Sequence, residues 1–213
     1  MLVGDRMSKP VITVPPEMPI NEALNLMKKE HIRRAPVVQN GKLIGIVSDE
    51  DLLNASPSQA TSLSVWELNY LLSRITIKDV MTKKVVTVQE NIPIEEAARI
   101  MADNKIGGLP VIRDDTVVGM ITETDLFKVF LELMGAREQG VRVTFLVEEK
   151  PGQLAAISKA VADLGGNFVA FGQFAGNDPS NRLITFKVQC ITEDQVRKIV
   201  ETYGIKLVDL RVV

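Results

Sequence analysis

A single internal repeat constrains the fold of this chain more than any other feature of its sequence. Residues 7–53 align without gaps with residues 81–127, an offset of 74, and 16 of the 47 aligned positions are identical. MSKPVITV in the first copy matches MTKKVVTV in the second, and GKLIGIVSDEDLL matches DTVVGMITETDLF. Two copies with so long a period are typical of a duplicated domain and not of a solenoid.

Both copies predict the same elements in the same order. A short β-branched run, VITV or VVTV, comes before an amphipathic helix that begins near Pro19 or Pro93. Two apolar runs follow, separated by QNG or RDD, and they predict a β-hairpin. A second helix is expected from Ser48 in the first copy and from Thr122 in the second.

The stretch between the copies predicts a loop and then a helix from about residue 62. Its large apolar residues fall on one side of that helix, and we expect them to pack across the two copies or against a second chain. They are Leu63, Trp66, Tyr70 and Leu71. We therefore divide the chain into a first domain at 1–55, a linker region at 56–76, a second domain at 77–135 and a C-terminal domain at 140–213.

The composition argues against several classes of function. The 213 residues are 46% hydrophobic and 24% charged, which is the profile of a globular protein. The formal net charge of −2 gives no electrostatic reason to expect nucleic acid or an anionic membrane as a partner. No apolar run approaches the ~18 residues of a membrane span, and the first residues lack the apolar core of a signal peptide. A cytoplasmic location is therefore expected, and Cys190, the single cysteine, is expected to be buried in its apolar strand-like run.

The sequence offers little for catalysis. His31 is the only histidine, and it stands at the end of a predicted helix, where we expect it to be solvated. No zinc-ligand set, no serine–histidine or cysteine–histidine pair and no Gly-rich phosphate loop is suggested by the spacing. We therefore expect no catalytic residue and no metal site, and an enzyme that acts on a nucleotide is the less favoured alternative.

The pattern changes after residue 135. VRVTFLV predicts a strand, and QLAAISKAVADLGG predicts an amphipathic helix closed by Gly165. NFVAFGQF and NRLITFKVQC predict two further strands, TEDQVRKIVETYG a helix with a capping box at Thr192, and IKLVDLRVV a last strand. The order βαββαβ is that of ferredoxin-like domains, so the whole chain is expected to be an α+β protein.

The two copies resemble the cystathionine β-synthase (CBS) domain, which occurs in tandem pairs. The resemblance covers about residues 1–135 and rests on the run of strand, helix, APV or LPV, hairpin and G-h-h-S/T-x-x-D in both copies. It implies two clefts between the copies that bind an adenosine-containing ligand, either an adenine nucleotide or S-adenosylmethionine. The aspartate of the motif would hold the ribose hydroxyls, and the hydroxyl residue would meet the phosphate.

The resemblance assigns nucleotide-binding roles residue by residue. Arg33 and Arg34, which face a glycine pair in the second copy, suit di- or triphosphates, and a solvated helix end is the alternative. In the family a cleft often takes its motif from one copy and its adenine wall from the other. Thr122 and Asp125 are therefore expected to share the better-equipped cleft with both arginines. The expected nucleotide-binding residues are Thr13, Arg33, Arg34, Ala35, Pro36, Ser48, Asp51, Thr87, Leu109, Pro110, Thr122 and Asp125.

The C-terminal domain resembles the ACT domain, a regulatory module that typically senses amino acids, on the strength of EEKPGQLAAI followed by GGNF. The resemblance implies that backbone at the start of the first helix catches the carboxylate of an amino acid, and that an asparagine meets its amino or carboxylate group. These residues are Gly152, Gln153, Leu154 and Asn167. Glu149 departs from the family pattern, which leaves the ligand open. Dimerisation through an edge strand without any ligand is the alternative.

A CBS pair followed by an ACT domain, with no catalytic domain attached, resembles the acetoin-utilisation (AcuB) family. The resemblance implies a cytoplasmic homodimer that senses an adenosine ligand and an amino acid and regulates a metabolic enzyme or pathway. The alternative is a transcriptional or enzyme-complex regulatory subunit whose ACT domain only dimerises. No helix-turn-helix with a basic face supports a DNA-binding function.

Overall fold

The structure is a computed structural model that describes residues 1–55 and 74–213. The predicted helix with Leu63, Trp66, Tyr70 and Leu71 lies outside the described residues. The chain forms two compact units, Met1–Leu126 and Phe127–Val213. In the described ranges, no helix is long and apolar enough to cross a membrane.

The first unit contains both copies of the repeat. The elements of the first copy are α1 (Val3–Arg6), α2 (Ile20–Lys29), β1 (Arg34–Gln39), β2 (Lys42–Ser48) and α3 (Asp49–Asn54). Those of the second copy are α4 (Ile77–Val80), β3 (Val88–Gln89), α5 (Ile94–Asn104), β4 (Gly108–Arg113), β5 (Thr116–Thr122) and α6 (Glu123–Leu133). The residues of α6 from Phe127 onward belong to the second unit.

The helices and hairpins predicted within the two copies are confirmed. Helix α2 follows Pro19 directly and α5 follows Pro93, and both bury the apolar positions that recur at helical spacing. Strands β1 and β2 pair antiparallel, as do β4 and β5. The turn at Asn40 and Gly41 has φ of 51° and 78°, the positive values that a tight two-residue hairpin requires.

The short strands predicted before α2 and α5 are much reduced. In the first copy only Val14 pairs, as an isolated bridge to Val37. In the second copy β3 has two residues, which pair in parallel with β4. The β-branched runs predicted longer strands, but each run pairs with its own hairpin over only one or two residues.

The leading segment of each copy, residues 1–8 or 75–82, pairs with the other copy. Ser8 exchanges backbone hydrogen bonds of 2.8 and 3.1 Å with Met120 of the second copy. Thr82 likewise exchanges bonds of 2.9 and 3.0 Å with Ile46 of the first. Ile77 is fully buried in the core cluster of the first copy. The two copies are therefore completed by each other, and neither hairpin has its full set of neighbours from its own copy.

The glycine in each GhhS/T motif allows this exchange. A Cβ on Gly45 would lie 2.5 Å from the sulfur of Met81 and 3.2 Å from the carbonyl oxygen of Thr82. A Cβ on Gly119 would lie 2.4 Å from the sulfur of Met7. Because real Cβ atoms do not approach other atoms so closely, any larger residue would displace the methionine side chain of the leading segment.

We predict that Gly45→Ala lowers the free energy of unfolding by about 1–3 kcal/mol, the usual cost of overpacking. The double variant Gly45→Ala/Met81→Ala removes the atom that the new methyl group meets, so it should lose less than the two single variants together. Equilibrium denaturation in urea measures all four proteins. Strict additivity of the two losses would contradict the close contact.

The leading segment of the second copy is fixed by a capping box. The backbone N–H and the hydroxyl of Thr76 both donate to Oδ2 of Asp79, at 2.9 and 2.8 Å. These two bonds, the backbone bond first, lower the pKa of the Asp79 carboxyl from its ordinary value.

The lowered pKa of Asp79 predicts a pH effect on stability. Because the folded-state pKa lies below the unfolded value of 3.8, the ionised carboxylate stabilises the fold above that pH. The stabilisation is lost as the pH falls through the folded pKa. Asp79→Asn should therefore be less stable than the native chain at about pH 7, and the difference should shrink as the pH falls through the folded pKa of Asp79. Urea unfolding across this range tests it, and a difference that does not depend on pH would refute it.

The second unit has the predicted order βαββαβ. Its elements are β6 (Val141–Glu148), α7 (Gln153–Asp163), β7 (Asn167–Ala175), β8 (Asn181–Gln189), α8 (Glu193–Tyr203) and β9 (Lys206–Val212). The sheet order is β7-β8-β6-β9, and all neighbours are antiparallel. This is the ferredoxin-like arrangement, in which the first and third strands occupy the centre of the sheet.

One face of this sheet carries the core. The rings of Phe145 and Phe186 meet edge to face, with centroids 5.8 Å apart, and both residues are fully buried against α7 and α8. Thr144 and Thr185 have the opposite parity on β6 and β8, and their hydroxyls lie 2.7 Å apart. The ammonium of Lys187 donates to the carbonyl oxygens of Gly135 and Glu138, at 2.8 and 2.9 Å.

The expectation that Cys190 is buried was wrong. Strand β8 ends at Gln189, and Cys190 is the first residue beyond it. Its φ of 65° turns the chain toward α8, and its side chain is exposed. The apolar run predicted that the strand continues one residue further than it does.

Candidate functional site

The motif S/T-x-x-D forms the same hydrogen-bonded box in both copies. Oδ2 of Asp51 accepts from the backbone N–H of Ser48 at 2.8 Å and from its hydroxyl at 2.7 Å. The Ser48 hydroxyl accepts in turn from the backbone N–H of Asp51 at 3.1 Å. Thr122 and Asp125 repeat these bonds at 3.0, 2.7 and 3.4 Å. Oδ1 of Asp51 takes no part in the box.

The box alone does not mark a site. Thr76 and Asp79 form the same two bonds to Oδ2 in a sequence with the same T-x-x-D spacing, and Asp79 is exposed at the surface. A capping box satisfies backbone groups at the start of a helix wherever it occurs. The surroundings of Ser48 and Asp51 therefore decide whether they can bind a ligand.

Asp51 opens into a cavity of about 330 Å³ between the two copies, which we call the Asp51 cleft. The first copy contributes β2 and the start of α3, and the second contributes the chain after α4 and the loop between α5 and β4. The lining residues are Arg34, Ile46, Val47, Ser48, Asp51, Thr82, Lys84, Val85, Val86, Lys105, Ile106, Gly107 and Gly108. The exchange of leading segments brings these parts together, because Thr82 pairs with Ile46.

The charge in the Asp51 cleft is predominantly positive. Arg34, Lys84 and Lys105 supply three cations, and Asp51 supplies one carboxylate, a formal balance of 3 − 1 = +2. In the part of the chain that the structure describes, none of the three cations takes part in an ion pair. Unpaired cations around a concave surface favour an anionic ligand.

Arg34 lies along the glycine pair of the second copy. A Cβ on Gly107 would lie 2.8 Å from Nη2 of Arg34 and 2.9 Å from Oε2 of Glu123. A Cβ on Gly108 would lie 3.6 Å from the Arg34 side chain. The difference between Arg-Arg in one copy and Gly-Gly in the other thus has a steric reason, since the arginine occupies the space that side chains on the glycines would need.

The structure separates the two arginines that the sequence predicted to act as a pair. Arg34 stands opposite Ser48 in the hairpin and lines the Asp51 cleft. Arg33 lines a different hollow, together with Asp49, and its carbonyl oxygen accepts from the Asp49 backbone N–H at 3.0 Å. Successive residues of an extended chain point to opposite sides, so neighbours in sequence do not share a cleft. That Thr122 and Asp125 share a cleft with these arginines stays a prediction.

The other predicted nucleotide-binding residues are placed as follows. Ala35 and Leu109 are fully buried in the core, as are their neighbours Pro36 and Pro110. Thr13 is exposed, and Thr87 is half-buried next to Val86 of the cleft. Asp125 is 5% exposed, whereas Asp51 is half-buried. Of the stretch before Pro110, Ile106, Gly107 and Gly108 line the Asp51 cleft.

Sequence reasoning missed Lys84 and Lys105. Lys84 stands in MTKKVV, where a lysine pair is an ordinary solvated feature. Lys105 follows the last residue of α5 with a φ of 54°, a position that usually favours glycine or asparagine. This conformation is visible only in the structure, and His31 has it as well after the first copy's helix, so the sequence carried no signal for Lys105.

The predicted amino-acid-binding residues are not brought together within one chain. Gly152, with a φ of 86°, precedes α7, and Gln153 and Leu154 begin it. Asn167 begins β7, after the other end of the helix. An eleven-residue helix is roughly 16 Å long, so one small ligand cannot reach both ends. Glu149 is ion-paired with Arg182.

Among residues 1–55 and 74–213, no group of three histidine, cysteine or acidic side chains is arranged to hold a metal ion. The candidate site is therefore a cationic cavity with one carboxylate and with apolar walls from Ile46, Val47, Val85 and Val86.

Comparison with known proteins identifies the repeat. The model of the CBS domain matches residues 3–58 and 77–132. The chain belongs to the CBS-domain family. CBS pairs are mostly regulatory, non-catalytic modules, and relatives that are enzymes share only part of their length with the match. The first curated relative, L-aspartate semialdehyde sulfurtransferase of Methanocaldococcus jannaschii, is 33% identical over 131 residues, 61% of this chain but only 23% of that enzyme.

Three solved structures are similar to the CBS pair. The CBS pair of protein MJ0100, in complex with 5′-methylthioadenosine and S-adenosyl-L-methionine, is 31% identical with a TM-score of 0.52, over 65% of this chain and 98% of that one. CBSX2 in complex with AMP is 27% identical with a TM-score of 0.52, over 62% and 97%. A putative acetoin utilization protein (AcuB) from Vibrio cholerae is 33% identical with a TM-score of 0.53, over 64% and 95%.

We predict that Ser48→Ala lowers the free energy of unfolding by about 1 kcal/mol, because it removes the hydroxyl that caps α3. Ser48→Thr is the matched control, since the second copy builds the same box with a threonine. Its stability should stay close to that of the native chain in urea denaturation. Equal losses in both variants would mean that the hydroxyl does not carry the cap.

Proposed function

We propose that this protein is a non-catalytic regulatory sensor that binds an adenosine-containing ligand in the Asp51 cleft. The observation that carries the proposal is that Asp51, whose Oδ1 takes no part in the capping box, lines the cavity between the two copies. A carboxylate oxygen accepts hydrogen bonds from a vicinal diol such as that of ribose. The adenosine ligands of two similar structures support this assignment.

The remaining parts of the ligand are assigned from the lining of the cleft. Val86 and Ile46 would contact the faces of the adenine, and the backbone of Ile106 and Gly107 would meet its polar edge. The hydroxyl of Ser48 would lie beside the ribose. In the second copy Thr122 and Asp125 would form an equivalent site, with Thr13 and Arg33 at its margin. Because Asp125 is only 5% exposed whereas Asp51 is half-buried, Asp51 is the better placed of the two aspartates to bind a ligand.

We predict that Asp51→Ala weakens binding of AMP or S-adenosylmethionine by roughly 10- to 100-fold, the loss of hydrogen bonds to a charged acceptor. Asp79→Ala is the matched control, because it removes the same aspartate from the same T-x-x-D box away from the cleft. Isothermal titration calorimetry measures both, and thermal unfolding shows that both variants are folded. If Asp51→Ala binds as tightly as the native chain, or the native chain binds neither ligand, the proposed site is wrong.

Regulation requires that the ligand bind one conformation more tightly than another. We propose that a ligand in the CBS pair changes the angle between the copies. Helix α6, which begins at the Thr122–Asp125 box and continues into the second unit, would transmit the change. The regulated partner would be a metabolic enzyme in the cytoplasm.

We propose that the second unit is an ACT domain that dimerises through β9. This strand is an edge of the sheet, and Val208 and Val212 on it are 55% and 68% exposed. An unpaired edge with exposed apolar residues favours pairing with a second copy. An amino-acid site would then be built from two chains, with Gly152 of one chain and Asn167 of the other, which would overcome their separation within one chain.

We predict that Val208→Lys/Val212→Lys gives a monomer with an intact fold, because charges on an edge strand oppose pairing. Leu164→Lys, at another exposed apolar position, is the control and should stay a dimer. Light scattering coupled to size-exclusion chromatography gives the mass. An unchanged mass in the β9 variant would exclude this interface. Thermal-shift screening with amino acids then tests the shared site, since a ligand that binds the folded state raises its stability, and a tighter ligand raises it more at the same concentration.

The pathway is proposed from likeness alone. The similarity to a putative AcuB protein supports a role in acetoin utilisation. Loss of growth on acetoin after deletion of the gene, restored by the native chain and not by Asp51→Ala, would support this role together with the proposed site.

A further inference from the structure

We propose that Arg34, Lys84 and Lys105 make the Asp51 cleft specific for phosphorylated adenosine ligands and exclude the sulfonium ligand S-adenosylmethionine. This inference rests on the proposed function and narrows it from adenosine-containing ligands to adenosine phosphates. The family resemblance does not decide between them, since similar structures hold AMP in one case and S-adenosyl-L-methionine in another.

An adenosine group alone leaves three of the charges in the Asp51 cleft without a partner. The adenine needs apolar walls and backbone groups, and the ribose needs one carboxylate, which Asp51 supplies. Arg34, Lys84 and Lys105 have no function toward either part. They lie on the same cavity without ion-pair partners among the described residues, so a third, anionic part of the ligand is the group that fits them.

The candidate ligands differ in the sign of their net charge. AMP carries close to two negative charges at neutral pH, and each further phosphate adds more. S-Adenosylmethionine carries a sulfonium and an ammonium against one carboxylate, so its net charge is positive. Three cations attract the phosphate of AMP and repel the sulfonium of S-adenosylmethionine. Neutral 5′-methylthioadenosine is neither attracted nor repelled by these charges.

The fold brings the three cations together from different parts of the chain. They come from three separate elements: the start of β1, the chain after α4 and the residue after α5. The long side chain of Arg34 extends over Gly107, where a Cβ would meet its guanidinium at 2.8 Å. Lys105 keeps a left-handed backbone that a lysine adopts only at some energetic cost. All three residues nevertheless line the same cavity.

The experiment is a calorimetric comparison on the full chain. The ligands are AMP, ADP and ATP on one side and neutral 5′-methylthioadenosine and S-adenosylmethionine on the other. The phosphorylated ligands should bind at least about tenfold more tightly than 5′-methylthioadenosine, with S-adenosylmethionine weakest, and raising the salt concentration should reduce the difference.

Charge-removing variants assign the effect to residues. Arg34→Gln and Lys84→Gln should each weaken AMP binding by roughly tenfold and leave 5′-methylthioadenosine nearly unchanged. Lys105→Asn should do the same while relieving the backbone, since asparagine tolerates the left-handed region. Gly107→Ala, which keeps every charge but displaces the guanidinium, should weaken AMP binding less than Arg34→Gln does. Lys83→Gln, next to the cleft but not part of its lining, is the control and should bind as the native chain does.

The outcomes separate the specificity from the function that it narrows. If the native chain binds S-adenosylmethionine or 5′-methylthioadenosine as tightly as AMP, the specificity is wrong and the adenosine site stands. If the variants lose affinity for AMP and for 5′-methylthioadenosine equally, the cations do not recognise the phosphate. If no adenosine ligand binds to the native chain, both the inference and the proposed function fail.

Discussion

The exchange of leading segments between the copies is the interaction on which the first unit depends. It includes the paired backbone hydrogen bonds of Ser8 with Met120 and of Thr82 with Ile46. Gly45 and Gly119 make it possible, because only a residue without a side chain lets the methionine of the other copy lie against the strand. The Asp51 cleft follows from the same exchange, since Thr82 joins the first copy's hairpin to the parts of the second copy that form the opposite wall.

Much of the fold could be predicted from periodicity and turn chemistry. Both helices after the prolines, both hairpins and the βαββαβ order of the second unit are present as predicted. The site was harder, because strand register and not sequence proximity decides which residues share a cavity. Arg33 and Arg34 therefore separate, while Lys84 and Lys105 join Arg34 from distant parts of the chain. The T-x-x-D motif was also ambiguous, since Thr76 and Asp79 make the same box at the surface.

The two copies have diverged in complementary ways. The first copy supplies the arginine and the half-buried aspartate of the cleft, and the second supplies two lysines and the glycine pair over which the arginine lies. Duplication followed by different substitutions in the two copies thus gives one cleft with a net positive charge.

The exchange of segments also determines when each part of the first unit can fold during synthesis of the chain. The hairpin of the first copy is complete once residue 48 has been made, but its outer neighbour, Thr82, is added to the chain 34 residues later. Met120, the partner of Ser8, comes later still. The first copy therefore leaves the ribosome with a strand edge unpaired and with the place for Ile77 in its core unfilled. Its final structure forms only when the second copy follows, so both copies are acquired together as one cooperative unit.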